Sequence, residues 1–232
     1  MTQEIKTEAL EMIKEDVLFG FYSEEEIFNS ISDAFYDAED FDDDWLTKEI
    51  NKQFVAHKNN STSWNKQTIF TRLVSVFDQL NKEKIVSLHK AGYTRQDAQD
   101  DCREIVDELG AIGIIAKGYC YYHAQDLQRA LGEDGMLYIG YDSIEPTDSA
   151  AEAVANRIVT LLRENGFTVS WNGFIDTRIE IKNITWQKVY DGVDYNYSRV
   201  FSIIEEHHAP KNKLDTTTTK TTQKSFWKLW KH

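Results

Sequence analysis

Apolar residues recur at helical spacing through the first third of the chain, and the rhythm then changes. Residues 3–82 read as four helices. In the second, Ser23 and Glu26 are placed for a capping box, with Tyr22 and Ile27 as the hydrophobic staple. Its stripe is Ile27, Ile31, Ala34, Phe35 and Ala38. A third helix from about Trp45 buries Leu46, Ile50 and Phe54, and the polar stretch 57–63 is expected to break it. A fourth presents Ile69, Phe70, Leu73, Val74, Phe77 and Leu80. From residue 84 the pattern favours strands at 85–89, within 112–122, and at 136–141. A hairpin pairs 167–171 with 178–182 around Asn172-Gly173. Helices lie between these strands. One is capped by Thr94 with Asp97 and ends at Gly110, a short one covers 125–131, and one is capped by Ser149 with Glu152 and stops at Gly166. Residues 197–208 read as one more helix.

Helices interleaved with strands predict an α/β fold, with α+β as the alternative: an N-terminal helical segment packed with a mixed sheet of about five strands. The strand order is not legible. The expected organisation is a helical region over 1–82, an α/β region over 83–190 forming one compact unit with the first, a C-terminal helix within 191–210, and a Thr/Lys-rich tail over 211–232. That tail is low in apolar content until its aromatic end, SFWKLWKH, and is expected to be a flexible linker.

Charge sharpens this picture. The net charge is −13, and residues 1–50 hold 16 acidic against 3 basic side chains. That face repels a phosphate backbone, so nucleic acid is not an expected ligand. It suits a basic protein partner, with Glu24, Glu25, Asp37, Asp40 and Asp43 as candidate contacts. The plainer account is a solvated, solubilising surface. No run approaches the roughly 20 apolar residues of a membrane span. The acidic start lacks the features of a signal peptide, and two cysteines are too few for a disulfide framework. The cytoplasm is the expected compartment.

Several segments carry a resemblance to a known family: DWLTKEINKQFVAH (44–57), IVSLHKAGYTRQDAQDD (85–101), GYCYYHAQDLQRAL (118–131), LYIGY (137–141) and GFTVSWNGFIDTRIEI with Trp186. Together they resemble an uncharacterised bacterial family, a domain of unknown function, over about residues 23–187. The resemblance supports the extent of the domain and directs attention to the AGYT and HAQD segments. It implies no activity, cofactor or substrate.

The richest chemistry lies at Gly118–Leu131. On a strand, Tyr119, Tyr121 and His123 share one face, while Cys120 and Tyr122 share the other. His123 then ends the strand beside a helix N-terminus, where N–H groups favour anions, and Asp126 is placed to orient the imidazole. His89 ends another strand. If the two strands are parallel neighbours, His89 and His123 converge at one sheet edge, with Tyr93, Asp97, Tyr122 and Arg178 as ligand-binding candidates and Lys90 beside them. The plainer account is a structural histidine beside a capping aspartate.

No metal site is expected, because HxxxH, CxxC and HExxH spacings are missing. A calcium loop starting at Asp40 fails: Trp45 stands where glycine is needed and Asn51 where glutamate is needed. Cys102 and Cys120 read as core, and no phosphate or dinucleotide fingerprint is present, so no cofactor is expected. Two functions follow. The first is a non-enzymatic interaction module of the bacterial cytoplasm, its acidic helical face meeting a basic partner such as a toxin that it neutralises. The second is a small-molecule or phosphate-binding domain, a hydrolase or transferase, centred on His89, His123 and Asp126. The basic, aromatic tail is a further candidate for docking on protein.

Overall fold

The computed structural model describes residues 1–208. Three helices, α1 (Gln3–Phe19), α2 (Glu24–Ala34) and α3 (Asp43–Ser61), pack around Ala9, Ile13, Val17, Ile27, Ile31, Leu46 and Ile50. The capping box of α2 is present: Ser23 N donates to Glu26 at 2.8 Å, and Glu26 N donates to the Ser23 hydroxyl at 3.1 Å. This helix stops short of its predicted stripe. Ala34 is exposed, and Phe35 turns back to stack on Phe41, with ring centroids 5.4 Å apart. The polar stretch after residue 57 does not break α3, which continues to Ser61. It buries His57, whose Nε2 lies 2.8 Å from the Lys188 carbonyl and has a backbone partner there.

The remaining elements follow the predicted order. They are α4 (Ile69–Lys82), β1 (Ile85–Leu88), α5 (Arg95–Ala111), β2 (Gly118–Tyr121), α6 (Ala124–Leu131), β3 (Leu137–Ser143), α7 (Asp148–Glu164), β4 (Thr168–Ser170), β5 (Ile179–Lys182) and α8 (Tyr197–His208). Two details differ from expectation. Only residues 118–121 of the 112–122 run pair as a strand. The cap of α7 is Thr147, not Ser149, because the Thr147 hydroxyl accepts from Ala150 N. Starting the helix there brings Ala151, Val154, Ala155 and Ile158 onto the buried side.

The sheet has the order β1-β2-β3-β5-β4, with β1 and β2 parallel and every other pair antiparallel. The fold is α/β with a mixed five-stranded sheet. One side packs on α4 and α7 through Leu73, Phe77, Ile139, Ile158 and Ile181. Each such side chain contributes roughly 1.5–3 kcal/mol when fully buried. The other side is covered at β1 and β2 by α5 and α8, which supply Cys102, Ile105, Val200 and Ile204. Across from Tyr121 stands Gly140. Any Cβ there would lie 2.5 Å from the Tyr121 ring, so the aromatic ring lies against bare backbone.

The segment 184–190 straps the three-helix unit to the sheet unit. Trp186 Nε1 donates to the Phe19 carbonyl at 3.2 Å. The Lys188 carbonyl takes the His57 contact and also crowds Gly20, where an added Cβ would lie 2.4 Å away. Gly20 caps α1 at φ 72°, a conformation that favours glycine.

Candidate functional site

Parallel pairing of β1 with β2 brings the ends of both strands together, as an α/β site requires. The register is Leu88 opposite Tyr121, so His89 falls opposite Tyr122 and the next residue, His123, turns the other way. The two imidazoles therefore point to opposite sides of the sheet and do not converge.

His89 is enclosed by aromatic rings. The centroid of Phe77 is 4.4 Å from its own, Phe70 is at 5.4 Å, Tyr122 at 5.6 Å and Tyr195 at 5.7 Å. Its Nδ1 lies 3.0 Å from the Tyr122 hydroxyl, and its backbone N–H donates to Asn196. Burial holds its pKa well below the usual value, and the charges of Arg199 and Lys188 push the same way. The ring is a neutral core histidine, and Tyr122, fully buried beside it, presents no surface to a ligand.

His123 belongs to a different arrangement. Tyr119 and Tyr121 stack with centroids 6.3 Å apart, and Tyr121 continues to His123 at 6.5 Å, an aromatic ladder along one sheet face. At its end the His123 Nε2 lies 3.1 Å from Asp126 Oδ2. The Asp126 carboxylate is completely buried and heavily engaged. Arg178 donates to it at 2.8 Å, Arg129 at 3.3 Å and the His123 N–H at 3.3 Å. Burial lowers the His123 pKa; Asp126 pulls it up, and Arg178 and Arg129 push it down. In the neutral ring the Nε2 proton faces the carboxylate, which leaves Nδ1 with its lone pair. That atom is buried and has no hydrogen-bond partner.

The expected anion position at the start of α6 is filled by the protein itself. Ala124 N donates to the Gly92 carbonyl at 3.2 Å and Gln125 N to the Tyr93 carbonyl at 3.4 Å. The loop after β1 thus takes the donors that an anion would use. Asp97 is likewise committed to capping α5, accepting from Thr94 N at 2.8 Å and Tyr93 N at 3.2 Å. These contacts, the Thr94 N–H foremost, hold its pKa below the usual range.

Beside the strand ends is a cleft of about 480 Å³ between α1, α2 and α6, lined in part by Asp16, Tyr22, Glu26, Tyr93 and Gln128. Of the sequence candidates only Tyr93 reaches it. Lys90, in the left-handed region at φ 46°, sends its ammonium to the Tyr22 hydroxyl. Burial lowers the Lys90 pKa to about 8, against the pull of Asp16 and Glu26. Burial raises Asp16 to about 6, with Lys90 opposing. Sequence reasoning noted Lys90 only as a neighbour and missed Asp16, which lies on a helical stripe with no local sign of its burial. It also missed Lys188, whose ammonium stands 4.7 Å from the Phe21 ring centre, 4.8 Å from Phe70 and 4.9 Å from Tyr195.

A family model described as a domain of unknown function, DUF6891, matches residues 2–190. The chain belongs to the DUF6891 family. Comparisons with curated proteins and with solved structures found no match. The DUF6891 match begins well before the residue 23 expected from the resembling segments, and α1 explains why: Ala9, Ile13 and Val17 are part of one core with α2 and α3. It ends at the strap. Among the described residues no helix of this DUF6891 chain is long and apolar enough to cross a membrane, and no group of three His, Cys, Asp or Glu is arranged around a metal.

The candidate partner contacts Glu24, Glu25, Asp37, Asp40 and Asp43 are all exposed, on α2, the turn after it and the start of α3. Exposed Glu26, Asp33, Glu39, Asp42 and Asp44 extend the same stretch. Among the described residues none of these carboxylates forms an ion pair. Tyr36 stands among them, 80% exposed.

Proposed function

We propose that this DUF6891 protein is a non-enzymatic interaction module of the cytoplasm whose acidic helical unit receives a basic protein partner. The observation that supports it best is the stretch from Glu24 to Asp44, where exposed carboxylates lie without ion-pair partners among the described residues and the ring of Tyr36 is exposed between them in the chain. Such a surface steers a cationic protein and sets its orientation, while an aromatic side chain supplies contact area. A toxin that the module neutralises is one partner of this chemistry. The test is capture of partners at low salt, followed by affinity measurement with Glu24, Glu25, Asp37, Asp40 and Asp43 changed to their amides. Binding should weaken by about tenfold or more and should fall with added salt. A partner bound equally well by the neutralised protein would overturn the reading.

One observation favours a second reading, a small-molecule or phosphate-binding domain acting as a hydrolase or transferase: the unpartnered Nδ1 of His123, held in place through Asp126. An imidazole oriented by a carboxylate is the arrangement of a general base. Against it stand the commitment of the α6 donors to Gly92 and Tyr93 and the separation of His89 from His123. Titration of inorganic phosphate against the His123 resonances decides. Shifts that disappear in His123→Ala favour this reading, and unchanged resonances remove it.

A further inference from the structure

A groove of about 530 Å³ opens between the end of α1, the start of α2 and the middle of α3. Its apolar lining includes Val17, Phe54, Val55 and Tyr190, with Val55 51% exposed and Tyr190 37% exposed. Glu24 and Glu25 stand at its rim, and Lys58 completes it. Both glutamates are among the candidate partner contacts, so the groove adjoins the acidic face. An apolar trough edged by carboxylates fits an aromatic side chain with lysines beside it.

This chain carries such a sequence. Residues 211–232 hold six lysines against one aspartate, and Phe226, Trp227, Leu229 and Trp230 are spaced between Lys224, Lys228 and Lys231. We propose that residues 225–232 dock in this groove of their own molecule, the tryptophans against Val55 and Tyr190 and the lysines against Glu24 and Glu25. The reach is sufficient. Phe226 lies eighteen positions beyond His208, the end of α8, and at about 3.3–3.6 Å per step that span reaches roughly 60 Å. A compact globule of this size has a radius of gyration of only about 17 Å. The competing surface is a groove of about 750 Å³ next to α7, where Ile115 and Ile144 are exposed. It offers poorer charge. Its Glu83 is already taken by Arg157 in two contacts of 2.7 Å, and Lys117 opposes a basic segment.

The docked tail occupies the ground that a basic partner needs, so it acts as a tethered competitor. A tethered segment meets its site at a high effective concentration, and a partner has to displace it. This regulatory consequence rests on the interaction reading, whereas the contact itself needs no partner and is tested without one.

The experiment uses the full chain with a zero-length carbodiimide cross-linker and peptide mapping, in parallel with amide hydrogen exchange. Cross-links from Lys228 or Lys231 to Glu24 or Glu25 are expected within single chains. Their yield should fall about tenfold when Trp227 and Trp230 are both changed to alanine. Exchange over residues 17–25 and 52–58 should speed up in the same variant. Both tryptophans lie outside the described residues 1–208, and an unchanged urea midpoint checks that the variant keeps its fold. A Glu24→Lys, Glu25→Lys chain should lose the protection as well. Cross-links directed to Glu83 or Glu145, links found only between differently isotope-labelled chains, or exchange untouched by the tryptophan changes would each overturn the proposal.

Discussion

The stretch from Glu24 to Asp44 holds its carboxylates in water and, among the described residues, outside any ion pair, whereas the sheet unit buries one and surrounds it with cations. Among the described residues Glu24, Asp37 and Asp40 form no ion pair, while Asp126 is buried among His123, Arg129 and Arg178. A solvated carboxylate keeps its hydration and is free to meet another protein. A buried one is held by its own fold, and removing it strands its partners. The residues richest in chemistry on paper are thus tied up in contacts within the fold, and the proposed recognition surface falls on the chemically plainer acidic helices.

The largest effect that sharpens this contrast is expected at Asp126. Asp126→Ala leaves Arg178 and the buried His123 without their carboxylate and should cost about 3–5 kcal/mol in urea denaturation. A loss below about 1 kcal/mol would mean that the cluster is not a structural knot.

Next comes the joint between the two regions. Gly20→Ala forces a Cβ onto the Lys188 carbonyl and a side chain into a left-handed position, and should destabilise by more than about 1 kcal/mol. The same measurement checks it, with Gly173→Ala, where nothing lies within 4 Å, as the companion that separates backbone strain from collision.

A third effect concerns protons. His89 has a folded pKa well below the 6.5 of the free side chain, so the unfolded chain takes up a proton first as the solution is acidified. Its contribution to stability is complete above about pH 6.5 and is lost as the pH falls below that value, with a slope of at most about 1.4 kcal/mol per unit. Asp16 behaves in the opposite sense. Raised from 3.8 to about 6, it favours the folded state below pH 3.8, and that contribution is lost as the pH rises through about 6. Stability measured from neutral to mildly acidic pH should flatten in His89→Phe and steepen in Asp16→Asn. Unaltered slopes would place these groups in water.

The smallest effect is expected on the acidic face. Changing Asp37 or Asp40 to asparagine should alter stability by less than about 0.5 kcal/mol. Glu24, Glu25 and Asp43 lie in first helical turns, so their amides should cost only a few tenths more. Larger losses would show that these carboxylates serve the fold.

The order of elements was legible because stripes such as Leu73–Phe77–Leu80 and the caps at Ser23 and Thr94 are local signals. Even there, Thr147 displaced Ser149 as a cap, since either hydroxyl residue suits the position and it is the Thr147 hydroxyl that accepts from Ala150 N. The site was less legible. Alternation predicted correctly that Tyr119, Tyr121 and His123 share a face, but the relation of His89 to His123 depends on register, and one residue of offset reverses a side chain. Nor does any local pattern show that Gly92 and Tyr93 turn their carbonyls onto α6, that Arg178 reaches Asp126 from just before β5, or that Lys188 enters a ring of aromatics. Those contacts join residues far apart in the chain.

The family match closes at residue 190, yet Val200 and Ile204 on α8 are buried against the strand pair at the sheet's edge, and Arg199 grips Asp78 through contacts of 2.7 and 2.6 Å. The stretch recognised by homology and the stretch that folds are therefore different lengths in this protein. A fragment cut at the homology boundary would bare Val86 and Leu88 along an edge strand, inviting one copy to add itself to the next.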